Sequence, residues 1–250
     1  MKKILEITVD SLASARAAIA GGADRLELCS ALAVGGLTPY TELLRQIRQE
    51  SDIRIRCLIR PQAGDFLYTA EEIRMMEDQI RHLRTHGADG FVIGCLDADG
   101  NPDVRAMEPL LNAAEGTGLT LHRCIDVSRD PAETYRTAGK AGFDTVLTSG
   151  AAGTCLAGIE TIGRMLELRD TVGGPEVLIG CGVNASVIAA FRTRYPQAGA
   201  FHMSGKTDVE SGMLFRREGV PMGLPGLDEW HLPQTDEQAV SAARAALDEE

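Results

Sequence analysis

The segment "GADRLEL" (22–28) returns along the chain as "GADGFVI" (87–93) and "GFDTVLT" (142–148), with "GAFHM" (199–203) as a weaker fourth copy. The three strong copies place a glycine, then an acid two residues later, then a short apolar run. A glycine there suits the left-handed position just past a helix, so each copy marks a helix-to-strand return. The copies start 65, 55 and 57 residues apart, the length of one (βα)₂ unit. Four such units give eight strands and eight helices, a (β/α)₈ barrel of the usual size of about 250 residues. A doubly wound open sheet is the alternative.

Working outward, eight apolar runs read as strands: 4–9, 25–30, 53–60, 90–96, 119–125, 145–150, 176–181 and 200–204. Helix starts lie between them. Thr38-Pro39 reads as a cap followed by proline, "TAEE" (69–72) as a capping box, and "DPAE" (130–133) and "TDEQ" (235–238) as its variants. Pro109 falls inside the expected fourth helix and predicts a kink or a late start. No linker or composition break divides residues 1–250. A stretch rich in Gly and Pro at about 205–234 reads as an excursion from a single domain before the last helix.

The formal net charge is −11. That acidity argues against nucleic-acid and anionic-membrane partners, which reward basic surfaces. Glu6 and Asp10 interrupt what would otherwise look like a signal peptide, and no apolar run is long enough to span a membrane, so a cytosolic protein is expected. The six cysteines form no C-x-x-C pair, which excludes a zinc framework and leaves them as free thiols.

Strand side chains alternate between two faces. With Leu, Ile, Val and Cys57 facing the helices, the interior receives Glu6 and Thr8, then Arg25, Glu27 and Cys29, then Arg54, Arg56 and Arg60. Later strands add Thr120 and His122, Ser149, His202 and Ser204. Buried charges need partners, so two glutamates among several arginines predict an internal ion-pair network. Residues late on their strands face the barrel mouth, where sites form. Glu27 and His122 are candidate acid/base groups, with Asp126 orienting a partner. Glu6, Arg60, Arg123, Ser149, His202 and Ser204 are candidate ligand contacts. The glycine turns "SGAAG" (149–153) and "GCGVN" (180–184) add backbone N–H groups at Gly150 and Gly182 that suit an anion. "SGKT" (204–207) lacks the first glycine of a P-loop and is rejected. His82 and His86 fall on a polar helix face away from the mouth. Cys29, inward and high on its strand, is a candidate Cu(I) ligand.

Longer segments now bring a resemblance into view. "GGADRLELCSALAVGGLTPY" (21–40), "IRPQAGDFLY" (59–68), "LHRCIDVSRDP" (121–131), "LTSG" (147–150), "FHMSG" (201–205) and "MLFRREGVPMG" (213–223) resemble the signature segments of the CutC copper-homeostasis family. The resemblance implies a TIM-type barrel, a cytosolic homo-oligomer (dimer or higher), and copper handling with Cys29 as a Cu(I) ligand. Thr8 stands where members often carry a second cysteine, Gln62-Ala63 replaces the usual Arg-Gly, and Cys124 replaces an alanine. Two functions follow. One is copper homeostasis, with His122 or His202 assisting Cys29. The other is a barrel enzyme or sensor acting on a small anionic metabolite, phosphorylated metabolites included.

Overall fold

The computed structural model describes residues 3–217, 219–220, 222–223, 226 and 228–249. Eight parallel strands close in chain order: β1 (Ile4–Val9), β2 (Arg25–Leu28), β3 (Arg54–Leu58), β4 (Gly90–Ile93), β5 (Gly118–Leu121), β6 (Thr145–Thr148), β7 (Glu176–Ile179) and β8 (Ala200–Met203), with β8 pairing back onto β1. Around them run α1 (Leu12–Ala20), α2 (Thr41–Glu50), α3 (Ala70–Thr85), α4 (Val104–Ala113), α5 (Pro131–Lys140), α6 (Ile159–Val172), α7 (Ala185–Arg194) and α8 (Glu237–Asp248). This is the (β/α)₈ barrel expected from the repeat.

The repeat has a physical basis beyond its glycine. Gly22, Gly87 and Gly142 are left-handed, with φ of +92°, +98° and +93°. The acid that follows clamps the preceding strand. Asp24, Asp89 and Asp144 accept the backbone N–H of Leu5, Ile55 and Leu119 at 2.7, 2.8 and 2.9 Å, while their own N–H groups donate to the carbonyls of those same residues. Arg244, Arg48 and Arg56 pair with the three carboxylates. In the first three odd-to-even strand pairs the motif therefore fixes register as well as direction.

Thr69 and Glu72 form a complete capping box at α3, and Asp130 and Asp236 cap α5 and α8. Thr38 does not cap a helix. Helix α2 starts at Thr41, and the Thr38 hydroxyl instead donates to the Arg60 carbonyl and accepts its N–H, tying the β2–α2 loop to the end of β3. Helix α4 begins at Val104, before Pro109 rather than at it. Its missing N–H leaves the Arg105 carbonyl without a helical bond. The stretch after β8 contains an antiparallel hairpin, β9 (Lys206–Glu210) with β10 (His231–Thr235), that leads into α8.

Helix-facing side chains such as Leu5, Ile7, Leu26, Ile55, Phe91 and Val146 are fully buried. Two apolar clusters share the interior with its charged groups. Leu147, Leu178 and Ala200 pack with Ile4, and Cys29, Leu58 and Val92 pack with Leu32. Arg54, expected inside, is exposed where β3 begins. Arg56 is inside, donating to Thr120 and Thr145 and pairing with Asp144. Gly118 makes room for it, since a Cβ there would lie 2.5 Å from the Arg56 Nη2.

Candidate acid–base site

The sequence-predicted residues fall into three groups. The first lines the interior wall formed by β8, β1 and β2. Successive strands at matched register bring Glu6 beside Arg25 and His202, and Thr8 beside Glu27. Glu6 is fully buried and pairs with the Arg25 guanidinium through one carboxylate oxygen. Its other oxygen lies 2.8 Å from His202 Nδ1. The far ring nitrogen, Nε2, stands 3.7 Å from a Glu27 oxygen, too long for a hydrogen bond. One imidazole thus sits between two carboxyls, bonded to one and poised beside the other.

Their electrostatics differ although both are buried. Burial pushes Glu6 up, but Arg25, the His202 hydrogen bond and charge, and Arg56 outweigh it and hold the carboxyl down at about 2. For Glu27 burial wins, with the Glu6 charge adding to it, and the carboxyl is raised despite His202. His202 is raised because Glu27 and Glu6 outweigh its burial. Cys29 completes the wall. Its thiol lies 3.5 Å from the Thr8 hydroxyl and 3.6 Å from the Val9 carbonyl, and burial, with the Glu27 charge, pushes it up to about 12. Glu6, Glu27 and His202 offer ligand atoms all within 4.8 Å of one another, close enough for a cation among the described residues.

The second group lies where β3 and β5 end. Arg60 and His122 are buried there around Phe66, which sequence reading did not single out. Arg60 is an anchor. Its Nη1 donates to the carbonyls of Val34 and Gly36 at 3.0 Å each, and its Nη2 to that of Gly64 at 2.8 Å. His122 Nδ1 accepts the Cys124 N–H at 3.2 Å, and burial, with Arg60 nearby, lowers this imidazole to about 3.

The third group is self-contained. The Asp126 carboxylate accepts the Ser149 and Ala151 N–H groups and the Thr148 and Ser149 hydroxyls, and it pairs with Arg123 at 2.8 Å. The N–H groups of the glycine turn expected to meet a bound anion are spent within the protein, those of Ser149 and Ala151 on Asp126 and that of Gly150 on the Thr148 hydroxyl. Asp126 orients Ser149 and Arg123 rather than His122 or Glu27. Gly150 is left-handed, with its Cα packed against Gly158, where no side chain fits. Gly182 is left-handed in the turn after β7. The Ser204 carbonyl accepts from Thr235, joining the end of β8 to the hairpin. His82 and His86 stack on the outer surface with ring centroids 4.4 Å apart.

Comparison with known proteins agrees with this architecture. The CutC family model matches residues 3–207. A CutC family protein of Chromobacterium violaceum is 39% identical over 251 residues, covering 99% of both chains. One from Porphyromonas gingivalis is 40% identical over 240 residues and 96% of both. Among solved structures, CutC of Streptococcus agalactiae, whose name proposes a copper-homeostasis role, superposes with a TM-score of 0.75 at 27% identity, over 81% of this chain and 98% of that one. Phosphoribosylanthranilate isomerase of Pyrococcus furiosus superposes with a TM-score of 0.55 at 14% identity, over 98% of each chain, a likeness of fold alone. The chain belongs to the CutC family.

Proposed function

We propose that the barrel mouth is an acid–base site for a small polar ligand, with Glu27 and His202 carrying the proton. The observation behind this reading is one imidazole held between two buried carboxyls, Nδ1 2.8 Å from Glu6 and Nε2 3.7 Å from Glu27, with only Glu6 paired to Arg25. Environments that push paired groups apart assign acid and base roles. Glu6, held ionised by Arg25, stays a carboxylate and fixes the ring through Nδ1. That leaves Nε2 facing Glu27, which keeps its proton to higher pH and acts as the acid. A ligand atom beside that pair receives the proton from Glu27 or gives it to the Glu27 carboxylate.

Solvent deuterium tests this directly. Incubating the protein in D₂O with a panel of small hydroxy acids, oxo acids and sugar phosphates should place label in at least one of them, read by mass spectrometry. Glu27→Gln should abolish the labelling. A panel that stays unlabelled, or labelling that survives the substitution, contradicts the reading.

Copper homeostasis, the association the family carries, is the second reading, and the position of Cys29 beside His202's wall favours it. The donor set does not fit a two-thiolate Cu(I) site, because Thr8 offers a hydroxyl and a Cys29 thiol at about 12 must first lose its proton. Titrating reduced protein with Cu(I) against a chelator should show affinity that falls on Cys29→Ser. Unchanged affinity removes this cysteine from the role. We also place the protein in the cytosol, a compartment that suits its free cysteines, and infer a homo-oligomer in which Met213, Leu214 and Phe215, exposed beyond β9, are covered by a second copy.

A further inference from the structure

We infer that the wall formed by the ends of β3 and β5 is a carboxylate-binding pocket, built by Arg60, Tyr68 and His122 around Phe66. The inference deepens the acid–base reading by naming the group that the ligand presents opposite Glu27 and His202.

Three donors there have no acceptor among the described residues. Arg60 is 7% exposed and makes no ion pair among the described residues. Its Nη atoms are spent on carbonyls, while its Nε–H has no partner. His122 is 5% exposed, and its Nδ1 accepts a backbone N–H, so the proton of the neutral ring is assigned to Nε2, which also has no partner. The Tyr68 hydroxyl is the third, kept protonated by burial that raises it. Two of them, Arg60 and His122, flank one aromatic ring, and Arg60 and Cys124 are among the groups that act on the third, Tyr68. The Phe66 and His122 centroids are 4.6 Å apart, and the Arg60 guanidinium carbon lies 5.4 Å from the Phe66 centroid. Tyr68 is two residues from Phe66 and feels the Arg60 charge.

A buried donor without an acceptor is costly, and so is a buried cation without a counter-charge. A carboxylate answers both deficits, because its two oxygens offer about four lone-pair sites. Charge selects it over a phosphate dianion. Arg60 supplies one positive charge, and neutral histidine and tyrosine add none, so a second negative charge would be left buried and unpaired. Gly94 preserves the arrangement, since a Cβ there would lie 2.7 Å from the His122 ring.

Calorimetric titration of the full chain with acetate, acetamide and inorganic phosphate tests the pocket. Acetate should bind, acetamide should not, and phosphate should bind no tighter than acetate. Tyr68→Phe should weaken acetate about tenfold, the effect of one hydrogen bond to a charged group. It should not lower the melting temperature of the free protein, because the hydroxyl has no partner to lose. Arg60 is left intact, as it also ties two loops. Equal affinity for acetate and acetamide, a preference for phosphate, or a Tyr68→Phe affinity equal to wild type overturns the inference. Acetate binding without any deuterium labelling would sink the acid–base reading alone. Labelling without acetate binding would sink the pocket alone.

Discussion

On the β8–β1–β2 wall Glu6 meets Arg25 and His202, whereas on the β3–β5 wall Arg60 and His122 meet no carboxylate among the described residues. Both walls bury ionisable groups in one barrel, yet they resolve the cost differently. The first compensates charge with charge, and so keeps two acids and a base poised at different affinities for a proton. The second holds its cation with carbonyls and its histidine neutral, and so keeps donors unspent. Two histidines only 80 positions apart in sequence are pushed in opposite directions, His202 up and His122 down, by what their neighbours carry. Leu58 of β3 and Val92 of β4 pack on Cys29, joining the two walls through an apolar contact.

Breaking the first wall should have the largest effect. Arg25→Met removes the guanidinium paired with the fully buried Glu6 carboxylate and leaves it only His202, and removing one partner of such a pair costs about 3–5 kcal/mol. Urea unfolding should show that loss, and a change under about 1 kcal/mol would mean that Glu6 is not the buried anion described here.

The second comparison is made by pH. His122 is lowered in the folded protein to about 3, so the unfolded chain takes up its proton first as pH falls below 6.5. Stability should then decline by about 2 kcal/mol from pH 6.5 to 5. His202 is raised, so its stabilisation is complete below 6.5 and fades as pH rises through its folded value. One histidine shapes the acid limb of the stability profile and the other the alkaline limb. His122→Asn should flatten the acid limb and leave the alkaline one. An unchanged acid limb would reassign it.

The smallest effect is expected at Glu27. Its carboxyl already favours the protonated form, which an amide imitates, so Glu27→Gln should alter stability by less than about 1 kcal/mol. A cost as large as that of Arg25→Met would show that Glu27 is ionised and paired like Glu6.

Much of this was legible in sequence because barrels convert alternation into position. The spacing of "GADRLEL" and its copies gave the strand count, and parity alone put Glu6, Glu27 and His202 inside. What parity cannot say is which inward residues touch, because that depends on register around the closed sheet. Asp126 and Ser149 therefore looked like part of one mouth but consume each other's hydrogen bonds. Phe66 and Tyr68 were invisible as site residues, since the β3–α3 loop has no periodicity to read. Their placement comes from tertiary ties such as the Leu96 N–H donating to the Phe66 carbonyl. Thr38 looked like a helix cap because its sequence context is that of one, and only the proximity of Arg60 reveals its other use.

A carboxyl ¹³C titration with residue-specific assignment of the glutamates tests the division between Glu6 and Glu27 most directly. Glu27 should titrate above the usual glutamate range and Glu6 well below it, in the vicinity of 2. Both carboxyls titrating together near 4.5, or in the reverse order, would contradict the account.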